Sequence, residues 1–137
     1  MIIDQLSVFT ENRNGTLAEI TAQLAEAEID IEALTIAETA EFGILRCIVD
    51  SPKKALAVLK LNGFVASITP VIALKMENKH GSLAKITNEL GNAEISIEYL
   101  YACGTSDEDT AFVVLRVENI EEAVSLLIEK GYEAYRP

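Results

Sequence analysis

Residues 15–34 align without a gap on residues 81–100, and twelve of the twenty positions are identical. Self-similarity at a fixed offset is the mark of a duplicated supersecondary unit, and it constrains the fold more than any single motif. The correspondence resumes beyond a hairpin of unequal length, with Ala55 on Ala123, Leu59 on Leu127, Gly63 on Gly131 and Phe64 on Tyr132. The chain of 137 residues is therefore read as one unit written twice, over 1–68 and 69–137. A unit of that size buries only about 60% of the surface its unfolded chain exposes. The two are expected to meet within the chain through bare sheet faces or sheet edges, and a homodimer covering what remains is compatible with this.

The periodicities change in the same order in both copies. Leu6, Val8 and Thr10 alternate with their neighbours, as do Ile72, Leu74 and Met76, so each unit opens with a strand. Leu17, Ile20, Leu24 and Ala27 then recur at helical spacing, matched by Leu83, Ile86, Leu90 and Ala93. Thr16 with Glu19 fits a capping box; Ser82 is placed to cap the second copy, where Lys85 breaks the box. Strands are predicted at 29–37 and 95–103, turning near 39–41 or 104–109 into strands at 44–49 and 111–117. Ser51-Pro52 and Asn119 with Glu122 announce a second helix in each unit. Gly63 and Gly131 stand where a left-handed C-terminal cap is needed. Short strands at 64–68 and 132–135 close the units, and residues 67–70 form the linker. The order β-α-β-β-α-β gives an α+β fold, two tandem ferredoxin-like units, each a four-stranded antiparallel sheet with two helices on one face.

Half of the residues are apolar, so a packed core is expected. A formal net charge of -11 argues against sequence-blind nucleic-acid binding, which needs cations to displace counterions. It equally disfavours docking on anionic lipid. No stretch is long and apolar enough to span a bilayer, and Met1-Ile2-Ile3-Asp4 carries no basic signal region, so a cytoplasmic location is expected. Cys47 and Cys103 are too few for a disulfide framework or a zinc site, and the single histidine, His80, leaves no histidine pair for a metal. The acidic run 106–109 lacks the glycine and spacing of a calcium loop. No phosphate-binding loop, dinucleotide fingerprint or nucleophile elbow is present. Neither an enzyme nor a cofactor is therefore expected.

What remains is the turn between first strand and first helix, Glu11-Asn12-Arg13-Asn14-Gly15-Thr16-Leu17 and Glu77-Asn78-Lys79-His80-Gly81-Ser82-Leu83. Asn-x-x-Gly-x-Leu between strand and helix, followed by Ile-x-Ile-Glu-x-Leu at the second strand, resembles the ACT domain, and the resemblance covers essentially the whole chain as a tandem pair. The first unit is similar to the small regulatory subunit of acetolactate synthase. The resemblance implies a sensor of free amino acids, with the loop asparagine on Asn12 and Asn78 and the loop glycine on Gly15 and Gly81. It further implies that a polar residue at the start of the second strand, Asp30 or Ser96, reaches toward a neighbouring unit's loop. Thr10 and Met76 replace the histidine of some serine-sensing members, and Asn14 and His80 replace a common proline.

The residue types suit that ligand. The free N–H groups of a helix start, at Thr16-Leu17 and Ser82-Leu83, suit a carboxylate. Glycine permits close backbone approach, an asparagine amide can serve either charged end, and a carboxylate such as Asp30 suits an ammonium. Pairing the Asn12 loop with Ser96 and the Asn78 loop with Asp30 gives two unequal sites, the Asp30-facing one being the better. Two functions follow: a regulatory protein that senses a free amino acid at the interface between two such units, or a non-catalytic interaction subunit of an amino-acid biosynthetic enzyme, such as a branched-chain acetolactate synthase, without a ligand of its own.

Overall fold

The computed structural model describes residues 1–11, 13–39 and 41–137. Its elements are β1 (Ile2–Glu11), α1 (Thr16–Glu26), β2 (Ile31–Glu38), β3 (Phe42–Val49), α2 (Pro52–Leu61), β4 (Val65–Glu77), α3 (Ser82–Asn92), β5 (Ile97–Gly104), β6 (Thr110–Val117) and α4 (Ile120–Glu129). Contacts group them into two units of the ferredoxin-like kind, one of Asp4–Thr69 and one of Pro70–Arg136 with Met1–Ile3.

In the first unit β3 pairs antiparallel with both β2 and β1, giving the order β2-β3-β1. Residues 65–69 lie beyond β1, where the hydroxyls of Ser7 and Thr69 meet at 2.9 Å. Directly opposed residues share a face, so the registers Leu6 with Cys47 and Val8 with Leu45 put these four on one side of the sheet. Ile20 and Leu24 of α1 and Ala55 and Leu59 of α2 close over that side as one core. Burying each of the large ones stabilises the unit by about 1.5–3 kcal/mol relative to exposure.

The second unit repeats the plan, with order β5-β6-β4. Ile72 opposes Leu115 and Leu74 opposes Val113, and Ile86, Leu90, Ala123 and Leu127 cover them. On the other edge of β4 the C-terminal segment makes only one bridge, Leu74 with Ala134, flanked by bonds from Lys75 N–H to the Glu133 carbonyl and from Tyr135 N–H to the Ala73 carbonyl. The predicted strand 132–135 is thus a single bridge. Its tip is held instead by the Tyr135 ring, stacked on Phe112 at 4.0 Å between centroids.

Two further expectations need correction. The first unit's closing strand, predicted over 64–68, does not end there, because β4 runs unbroken for 13 residues from Val65 to Glu77, through the linker residues 67–70. Proline lacks an N–H but keeps its acceptor, and the Pro70 carbonyl takes a bond from Arg116 Nη1 at 2.9 Å. Nor do Thr16 and Ser82 cap their helices. The N-cap residues are Gly15 and Gly81, at φ of 86° and 89°, and neither helix has a side-chain cap. Thr16, the first helical residue, turns its hydroxyl back onto the Arg13 carbonyl at 3.2 Å.

At α4 the expected cap forms: Asn119 Oδ1 accepts from Glu122 N–H, and its amide nitrogen donates to Glu122 Oε2 at 2.9 Å. Ser51 holds the N-cap position of α2 without a side-chain bond. Gly63 and Gly131, at φ of 84° and 83°, end α2 and α4 as left-handed caps, as their positions predicted.

Candidate functional site

The mouth of α3 opens into a cleft of about 610 Å³ within the second unit. Its walls come from the end of β4 (Lys75, Met76, Glu77), the turn and first helical turn (Lys79, His80, Gly81, Ser82, Lys85), the hairpin residues Asp109 and Thr110, and the segment Gly131, Tyr132, Glu133 that follows α4. Two of the three lysines are neutralised. Lys75 pairs with Glu133 at 3.6 Å and Lys79 pairs with Glu77. The hydrogen bond and charge of Lys79, with the more distant charge of Lys85, hold the Glu77 carboxyl below its ordinary range. The Lys85 ammonium lies 5.7 Å from the centre of the Tyr132 ring and has no ion pair among the described residues. The Tyr132 hydroxyl and Glu89 Oε2 are both buried side-chain atoms. Burial, and then the Glu89 carboxylate, push the Tyr132 phenol up to about 12.

The first unit has a cleft of about 360 Å³ in the matching place, with a different lining. Phe9 and Phe42 stand with ring centres 5.3 Å apart, and Phe64 and Val65 line the same hollow. Across its mouth Arg13 Nη2 pairs with Glu19 Oε2 at 3.2 Å. A smaller hollow of about 140 Å³ lies between α1 and the sheet, bordered by Thr16, Leu17, Ile36 and Leu45.

The residues singled out from sequence are distributed unevenly over these features. His80, Gly81 and Ser82 line the larger cleft, and Thr16 lines both hollows of the first unit. Leu17 borders the smaller one. Leu83 packs on the core beneath α3 instead of facing the cleft. Asn14 and Gly15 are exposed in the turn before α1, and Asn12 lies outside the described residues. Asn78 latches the β5–β6 hairpin: its side-chain amide donates to the Glu108 carbonyl at 2.8 Å and its backbone N–H to the Asp109 carbonyl at 2.8 Å. Asp30 and Ser96 are exposed and precede β2 and β5, beyond the far ends of α1 and α3. An eleven-residue helix is roughly 16 Å long, so neither reaches the mouth of its own unit.

Sequence reasoning missed Lys75, Lys85, Asp109 and Tyr132 as cleft residues. One signal was available: Lys85 is a cation in a first helical turn, where an acid is favoured and where the other copy has Glu19. Among the described residues no group of three or more His, Cys, Asp or Glu side chains is placed to hold a metal. No helix among them is long and apolar enough to cross a membrane.

Two ferredoxin-like units, each with a glycine-started helix opening beside its sheet, define a tandem α+β domain pair. Residues 1–135 match the ACT domain pair family, and the chain belongs to that family. It is similar to protein BT0572 from Bacteroides thetaiotaomicron, with 41% identity over 98% of this chain and 92% of that one and a TM-score of 0.92. It shares its fold with the ligand-free regulatory subunit of aspartate kinase from Thermus thermophilus, at 16% identity, 96% and 97% coverage and a TM-score of 0.69. The corresponding subunit from Thermus flavus matches at 16% identity, with 94% of each chain covered and a TM-score of 0.63. No curated protein sequence matches the chain.

Proposed function

We propose that this protein is a non-catalytic regulator that binds a free amino acid at a glycine-started helix mouth and passes that occupancy to an enzyme of amino-acid metabolism. The observation that carries this reading is the cleft at Gly81-Ser82, which sets cations and carboxylates around one opening at the positive end of a helix. A zwitterion presents the complementary pair of charges. A contribution from Asp30 or Ser96 would have to serve a loop other than that of its own unit. The regulatory subunits with the same fold support the second half of the proposal, that the output is received by a partner enzyme.

The competing reading, an interaction subunit with no ligand, is favoured by one feature: Phe9, Phe42 and Val65 are 47%, 44% and 70% exposed around the first unit's cleft. A thermal-shift panel of the twenty amino acids separates the two. A ligand of the native state at 100 times its dissociation constant adds about 2.7 kcal/mol of stability. At least one amino acid is expected to raise the unfolding temperature in a saturable way. A flat panel would favour the interaction subunit.

A further inference from the structure

We propose that the two mouths are functionally unequal: the second unit's cleft is the amino-acid site, Lys85 anchors the ligand's carboxylate there, and the first unit's cleft is closed to such a ligand by its own ion pair. This rests on the amino-acid reading above and narrows it. The sequence repeat places Glu19 against Lys85, Arg13 against Lys79 and Phe9 against Lys75. In the first unit Glu19 suits the helix dipole and is already bound to Arg13, so the one cation lining that cleft is paired; Glu11, the third charged residue there, is a carboxylate.

In the second unit the dipole opposes Lys85, and Lys75 and Lys79 have carboxylate partners while Lys85 has none among the described residues. The Tyr132 ring holds the ammonium beside the cleft without neutralising it. Asp109 lines the same cleft and also has no ion pair among the described residues, leaving one carboxylate for a ligand's ammonium. Lys75, Glu77, Lys79 and Glu133 add charge to the remaining walls, whereas Phe9, Phe42 and Phe64 bring three aromatic rings to the first cleft. The ligand class is therefore an α-amino acid with a polar or charged side chain, not an aliphatic one.

The test is amide NMR on the full ¹⁵N-labelled chain, titrated in turn with each of the twenty L-amino acids. Lys85→Glu and Arg13→Gln, both at exposed positions, are run alongside. Expected are shifts at residues 82–85 and 109–110 with a polar amino acid, quiet amides at residues 16–19, affinity about tenfold or more weaker in Lys85→Glu, and affinity unchanged in Arg13→Gln. Equal shifts at both mouths, a preference for leucine or valine, or full affinity in Lys85→Glu would overturn the inequality while leaving amino-acid sensing intact. Silence with all twenty would overturn both.

Discussion

Glu28 and Glu94 adopt φ of 57° and 59°, in the left-handed region that a β-carbon disfavours. Each sits one residue beyond the C-cap of α1 or α3 and closes the helix with the same two bonds. Glu28 N–H reaches the Ala25 carbonyl and Ile29 N–H the Leu24 carbonyl, both at 3.0 Å. Glu94 and Ile95 repeat this onto Gly91 and Leu90, at 3.0 and 2.9 Å. This double bond pattern normally recruits glycine, as it does at Gly63 and Gly131. Glu28→Gly or Glu94→Gly should therefore stabilise the protein by about 0.5–1 kcal/mol, the relief of strain outweighing the freedom glycine adds to the unfolded chain. A denaturant midpoint that rises at constant slope is the expected result, and an unchanged or lower midpoint would contradict it. The caps at Gly63 and Gly131 were legible because glycine names its own conformation. Those at Glu28 and Glu94 were not, because tertiary packing of Ile29 and Ile95 imposes the turn on a residue that does not favour it.

At the level of elements, order and type could be read from periodicity, since Leu6, Val8, Leu45 and Cys47 form one face as alternation requires. Boundaries failed where a residue's usual role was overridden. Pro70 reads as a break, yet it sits inside β4, where a carbonyl alone is needed. Tyr132 reads as a strand residue, yet it ends the turn after α4 and lines the cleft. Its phenol, raised from 10 to about 12, is protonated more tightly in the folded chain than in the unfolded one. That contribution to stability is complete below pH 10 and is lost as the pH rises through about 12. The buried Cys47 thiol, raised from 9.0 to about 12 by burial, adds a similar loss that begins near pH 9. Thermal unfolding between pH 9 and 12 should decline less steeply in Tyr132→Phe than in the wild type, with the Cys47 part common to both. Parallel curves would show that the Tyr132 proton is not held preferentially by the fold.

For the molecule as a whole, duplication explains why two helix mouths exist, and divergence after duplication explains why their chemistry differs. The repeat located both glycine turns, because Gly15 and Gly81 are required by a left-handed N-cap in each copy. It could not locate the cleft, whose walls are gathered from four segments far apart in sequence. Nor could it show that Asn78 is occupied by the hairpin, since Glu108 and Asp109 belong to the stretch where the two copies differ in length. The net charge of -11 makes Lys85, which has no ion pair among the described residues, more telling, because the lysine lines a cleft in a chain that carries 22 acids and 11 bases.

Isothermal calorimetry on the intact chain, with whichever amino acid gives the largest thermal shift, tests the central claim most directly. One saturable site per chain is predicted, with affinity between micromolar and millimolar, about -8 to -4 kcal/mol. Two equivalent sites, or no saturable heat from any of the twenty, would contradict it.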